Sequence, residues 1–326
     1  MKYVVNKKWV LNFGVGILLV IVIGYIFFMG NNQSSASNPP EIKGIGIMGA
    51  SNSDEYRADD NRGGTYSDTT LNWVEQLALS RGLNFGPWGI WDEPRRTGYK
   101  FNWARSGATV NSLIQSGQHT GLAQQVANGE VSHVYLWIGG NDFQVQNGTY
   151  GEVYDGTLSG IELQEKIDGI VADTITVMDT VLDAGDVQML VVPFGDQGIL
   201  AETIKSYPDP IKRQRVSNVI HTINEAIESH ARMRGVAIVD DSNFINSLFN
   251  RIDKTGFLTV GGEKINFLDK GNEPHHARLD DNVGHAGTVF SGLIANSLFI
   301  DPFNKEFGFD IAPLTDEEIL QNAGIH

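Results

Sequence analysis

Four short stretches of this chain carry groups able to move an acyl group. In Gly49-Ala50-Ser51-Asn52-Ser53-Asp54-Glu55-Tyr56, Ser51 is flanked by small residues that would leave its hydroxyl open to a carbonyl carbon. Asn102-Trp103-Ala104-Arg105-Ser106-Gly107-Ala108-Thr109 and Trp137-Ile138-Gly139-Gly140-Asn141-Asp142 each hold glycine, whose N–H can approach a ligand closely, and the latter ends in an asparagine amide that can aim a second donor. The fourth stretch, from His275 to Thr288, places His285 shortly before an apolar helical pattern with carboxylates just upstream, the makings of a general base and its orienting group. Each stretch also has a plainer reading: a serine-rich turn capping a helix, two strand-to-loop turns, or, for three histidines and two aspartates, a metal site. No HExxH or comparable ligand spacing supports the last, and no metal is assigned.

These groups can cooperate only if strand ends gather them. Ile42 to Met48, Val131 to Ile138, Val187 to Val192 and Val236 to Val239 are short apolar runs rich in β-branched residues, as interior strands should be. Between them Leu163, Ile167, Ile170, Val171, Thr174, Met178 and Val181, and then Val216, Val219, Ile220, Ile223, Ala226, Ile227 and His230, follow the helical spacing. Phe290, Ile294 and Leu298 suggest a closing helix. Alternating strands and amphipathic helices predict a three-layer α/β/α sandwich on a parallel sheet, with ligands at the carboxyl ends of the strands. His230 falls on the apolar face of its helix and His221 off it, while His119, His133 and His326 have no acidic or nucleophilic context; each is assigned to packing or solvent.

The chain has 326 residues, 41% hydrophobic and 19% charged, and no cysteine, which removes disulfides, thiol catalysis and thiolate metal sites. Lys2, Lys7 and Lys8 precede an apolar run from Phe13 to Met29, near the minimum for a bilayer-spanning helix. The expectation is a signal anchor or signal peptide over residues 1–30, N-terminus in the cytoplasm, with the body extracytoplasmic. Retention is favoured by the length of the run, and Ser34-x-Ala36 offers a cleavage site that would make the body a secreted one. Residues 31–40, ending in Pro39-Pro40, read as a flexible linker, and 41–326 as one domain. Taking the three leader lysines from 24 basic residues leaves 21 against 39 acidic ones, so nucleic acid is not an expected partner.

In chain order, Ser51, Gly107, Asn141 and His285 resemble the four blocks of the SGNH (GDSL-type) hydrolase family of serine esterases, lipases and acetylesterases, with GASNSDEY, ARSGAT, IGGND and DNVGHAGT as the blocks. The resemblance spans about Ile42 to Ile300. It implies a flavodoxin-like fold with about five parallel strands, Ser51 as nucleophile, and an oxyanion hole made by the Ser51 N–H, the Gly107 N–H and the Asn141 side chain. His285 would shuttle the proton, with no cofactor. Two departures stand out. Ala50 replaces the aspartate of the first block, and position 282, three before the histidine, is Asn rather than the family's Asp. Asp281, four before, is taken as the orienting acid, with Asp280 as the alternative.

The α/β-hydrolase pattern shares the Ser…Asp…His order, but Ser51 follows the first strand and leaves no earlier sheet for that fold's oxyanion loop. The expected activity is hydrolysis of O-acyl esters, acetyl esters on a polysaccharide among them, with the membrane as partner through the N-terminal helix. Trp88, Trp91, Tyr66 and Trp103 supply aromatic faces for sugar stacking. The rivals are a non-catalytic carbohydrate-binding module on the same fold and an O-acyltransferase.

Overall fold

In a computed structural model, residues 41–58, 62–145 and 148–326 are described. The expected leader (1–30) and linker (31–40) lie outside them. Among the described residues no helix is long and apolar enough to cross a membrane.

Eight strands occur among these residues: β1 (Ile45–Gly49), β2 (Trp88–Ile90), β3 (Thr97–Tyr99), β4 (His133–Trp137), β5 (Gln188–Val191), β6 (Ala237–Ile238), β7 (Phe257–Val260) and β8 (Glu263–Asn266). β1, β4, β5 and β6 make a parallel sheet in that order, while β2–β3 and β7–β8 are antiparallel pairs. The four regular strands are one fewer than the five implied by the family resemblance. The fifth place, beside β1, is taken by residues 101–105: Ile47 N–H donates to Phe101 O at 3.0 Å, Trp103 N–H to Ile47 O at 2.8 Å and Arg105 N–H to Gly49 O at 3.1 Å. Only one parallel bridge, Ile47↔Asn102, is regular. Asn102 explains the break: its side chain accepts from Ala104 N–H at 3.0 Å and donates to Ser53 O at 2.7 Å, a local bonding pattern that competes with extended structure. Counting this segment, the strands lie in the order second, first, third, fourth, fifth, the flavodoxin-like arrangement.

The helices include α1 (Trp73–Arg81), α2 (Val110–Gln115), α3 (Gln118–Ala127), α4 (Thr149–Asp155), α5 (Gly160–Leu182), α6 (Pro210–Met233), α7 (Asp241–Arg251) and α8 (Thr288–Ile294), with other short ones elsewhere. α5 and α6 fall where the periodicity placed them. Asp209 caps α6 ahead of Pro210 at its first position, so the proline's missing N–H costs nothing. Strand residues alternate between two apolar cores. Met48, Val134, Leu136, Met189 and Val191 face one core with residues of α3, α5 and α6. Ile45, Ile47, Tyr135, Leu190 and Val192 face the other with residues of α1, α7 and α8. Helices therefore cover both faces, and each fully buried aliphatic side chain contributes about 1.5–3 kcal/mol. α8 runs on through a π-helical turn, Ala295–Ile300, where Leu298 O accepts from the Tyr135 hydroxyl at 3.0 Å.

Candidate active site

Sheet register brings three of the four stretches together. Gly49, the last residue of β1, pairs with Trp137 at the end of β4, and its carbonyl accepts from Arg105 on the other side. All three segments run parallel, so the residues just beyond them, Ser51, Gly107 and Asn141, leave the sheet at the same carboxyl edge. Side chains then tie the loops to one another. Asp54 Oδ2 accepts from Ser106 N–H at 2.7 Å, the Asn141 amide donates to Ala108 O at 2.9 Å, and Asp142 Oδ2 accepts from Val110 N–H at 3.2 Å. Burial pushes the Asp142 carboxyl up to about 6.

Gly107 is held at φ +80°, a left-handed conformation that favours glycine, and a side chain built there would meet only open space. Among the described residues, the N–H groups of Ser51 and Gly107 donate to no protein acceptor. Both residues are at least partly exposed, so these donors are presented outward rather than stranded in the core.

The fourth stretch supplies an acid–base couple. His285 Nδ1 lies 2.6 Å from Asp281 Oδ2, and Asp281 Oδ1 accepts from the N–H groups of Val283, Gly284 and His285 at 3.2, 2.6 and 3.2 Å. Burial raises the Asp281 carboxyl, but the His285 ring and the backbone donors outweigh it and hold the group at about 2. Lys270 fastens the same turn through the carbonyls of Asp281 and Asn282. Asp280 is exposed, and its backbone N–H is bound by Asn272 Oδ1, so the acid beside His285 is Asp281. The Asp281 side chain curls over its own backbone, with Oδ1 on the loop N–H groups and Oδ2 on the ring. Among the described residues no hydrogen bond joins Ser51 Oγ to His285, whose ring is bonded to Asp281.

No protein-family model matches the chain, and no curated protein matches it. Solved structures do. An acetyl xylan esterase from Geobacillus stearothermophilus is 15% identical, with a TM-score of 0.44 over 82% of this chain and 95% of that one. An extracellular lipase from Streptomyces rimosus is 17% identical, with a TM-score of 0.41 over 80% and 98% of the two chains. Phospholipase A1 from Streptomyces albidoflavus is 14% identical, with a TM-score of 0.43 over 82% and 100%. These relatives in shape are ester hydrolases. At such identities and scores they lend this chain no chemistry, which has to come from its own site.

Several supporting residues escape a reading of the sequence. Asp54, Asp142 and Lys270 act across gaps of 11 to 52 positions, which no local pattern encodes. Glu75 was legible in part: Asn72-x-x-Glu75 is a capping box at the start of α1. Its carboxylate also accepts from the N–H groups of Tyr56 and Arg57, which pins the loop after Ser51 to that helix. Of the aromatic residues expected to offer sugar-stacking faces, Trp103 is buried and bonded to Gln125, whereas Trp88 and Tyr66 are exposed.

Proposed function

We propose that this chain is an exported serine ester hydrolase acting on O-acyl groups. Ser51 Oγ attacks the acyl carbonyl carbon while its proton passes to His285 Nε2, and the carbonyl electron pair moves onto oxygen. That oxygen is received by the N–H groups of Ser51 and Gly107 and by the Asn141 amide. Collapse restores the carbonyl and expels the alcohol, which takes the proton from His285. The same cycle, with water as nucleophile, frees the acid from Ser51. The carrying observation is the 2.6 Å contact from His285 Nδ1 to Asp281, which fixes the ring and leaves Nε2 as the nitrogen for proton transfer. An ionised Asp281 steadies the imidazolium formed during attack. Ala50 removes one carboxylate from the first block, and Asp54 in the same loop retains one against the second block.

The basic-then-apolar N-terminal sequence supports export and tethering. Exposed Trp88, whose ring lies 5.8 Å from the guanidinium of Arg57 just after the first block, and exposed Tyr66 support a carbohydrate as the alcohol portion, with acetyl as the simplest acyl group. The test is Ser51→Ala in the full chain, assayed with p-nitrophenyl acetate and with a fluorophosphonate probe. Wild type is expected to hydrolyse and to label at Ser51, and the variant to do neither. Equal hydrolysis by both would overturn the assignment. A folded wild type that never labels would favour the non-catalytic binding module.

A further inference from the structure

Arg62 joins the two halves of the site. Its Nη2 donates to Ser106 Oγ at 2.6 Å, and Ser106 is the residue before Gly107. Its Nη1 lies 3.6 Å from Asp281 Oδ2, the same oxygen that holds His285 Nδ1. The guanidinium stands over the Tyr56 ring at 4.9 Å, and that ring meets the His285 ring edge-on at 6.5 Å. The side chain is only 11% exposed, and its own N–H is bonded to Tyr56 O at 3.0 Å. A planar cation with several fixed donors suits this bridge, whereas a lysine could serve only one partner well.

We propose that Arg62 is a positioning residue that fastens the Asp281–His285 couple to the Gly107 turn, so that the proton acceptor and the oxyanion donors keep one spacing. The proposal rests on the ester-hydrolase reading for its kinetic consequences but not for the fastening itself. The charged and titratable groups facing His285 are Asp281 in its own loop, Arg62 and Tyr56 from the loop after β1, and Lys270 against the carbonyls of that loop. Arg62 offsets part of the Asp281 charge felt by the ring. Its removal should favour the protonated couple, moving the acid limb of the activity profile to higher pH. Its bond to Ser106 orients a turn that meets the substrate only once negative charge develops, so loss of that bond should lower kcat more than it raises KM.

The experiment compares full-chain wild type, Arg62→Ala and Arg62→Lys. The kinetic readout is hydrolysis of p-nitrophenyl acetate against pH, and the spectroscopic readout is the downfield proton resonance of the Asp281–His285 hydrogen bond. Arg62→Ala is expected to lose roughly tenfold or more in kcat, as misplacing a catalytic group does. Its acid limb should move up by roughly half a pH unit or more, and its downfield resonance should broaden through exchange with water. Arg62→Lys, which also serves if the alanine variant does not fold, is expected to restore the acid limb but not kcat. Either variant keeping kcat, acid limb and resonance at wild-type values would overturn the proposal. So would a fall in kcat in Arg62→Ala with acid limb and resonance unchanged. An inactive, unlabelled wild type would instead defeat the hydrolase reading, and the resonance would still decide whether Arg62 fastens the couple.

Discussion

Among the described residues two places unite an aspartate, a histidine and an arginine, and one of them has the makings of an active site. On the outer helices, His230 Nε2 of α6 lies 2.9 Å from Asp179 Oδ1 of α5, and Arg234 Nη1 lies 2.6 Å from the same oxygen. At the sheet edge His285, Asp281 and Arg62 form the corresponding group. Burial does not separate them: the histidine side chains are 19% and 12% exposed, and the aspartates 29% and 31%. What differs is the surroundings. Asp281 is held by three backbone donors in a loop tied to strand ends that also present Ser51 and open N–H groups. Asp179 and His230 instead sit on two long helices whose backbone hydrogen bonds are already made. An acid–base couple becomes chemistry when a nucleophile and oxyanion donors share its neighbourhood; otherwise it clips two helices together.

The widest test of that contrast is to remove each imidazole. On the proposed mechanism, His285→Asn should lower kcat by roughly 10⁴-fold or more, as loss of a triad base does elsewhere. His230→Asn should leave kcat and KM near wild type and lower stability by less than about 1 kcal/mol, the usual limit for a partly exposed ion pair. Steady-state kinetics with p-nitrophenyl acetate and urea unfolding of both variants measure the two effects. Comparable kinetic losses at the two positions would erase the distinction.

A smaller effect comes from the donors that the outer couple lacks. On the proposed mechanism, Asn141→Ala removes an oxyanion donor and should lower kcat by roughly 10²–10³-fold with little change in KM. A loss confined to KM would show that Asn141 only helps to hold substrate. The bond from Asn141 to Ala108 O makes a thermal melt necessary beside the kinetics, so that local loosening is recognised.

The two couples also mark how far the sequence could be read. His285 stood out because its acid lies four residues away and a closing helix follows; Asp281 was chosen over Asp280 on that spacing, and the structure places Asp281 on the ring. His230 showed no acidic partner because Asp179 lies 51 positions back on another helix. Its place on an apolar face was visible, but the pairing of α5 with α6 was not. Sheet strands and long helices were legible for the same reason, since periodic burial is written locally. Segment 101–105 was not legible as an irregular edge, because the interruption comes from Asn102 reaching Ser53 across 49 positions. Arg62 was missed because Ser106 and Asp281 lie far along the chain in two other loops.

The smallest effect sharpens the contrast within the sheet edge itself, where burial raises two carboxyls but their partners leave them on opposite sides of the usual value. Asp142 is raised to about 6, above its reference of 3.8, so the folded state holds its proton more tightly than the unfolded chain. Its contribution to stability therefore falls as pH rises from about 4 to 6 and stays reduced above that range. Asn at this position keeps an oxygen for Val110 N–H without a buried charge, so Asp142→Asn should gain about 1–3 kcal/mol at pH 7 and nothing at pH 4. Asp281 is lowered to about 2, so its contribution is fully present above about pH 4 and is lost as pH falls through 2. Asp281→Asn should thus be less stable than wild type at neutral pH, with the gap closing in acid. Urea unfolding of the two variants at pH 4 and 7 checks both signs. A loss of stability in Asp142→Asn at pH 7 would mean that its carboxylate is held by more than the Val110 donor, and that the turn carrying Gly107 depends on negative charge there.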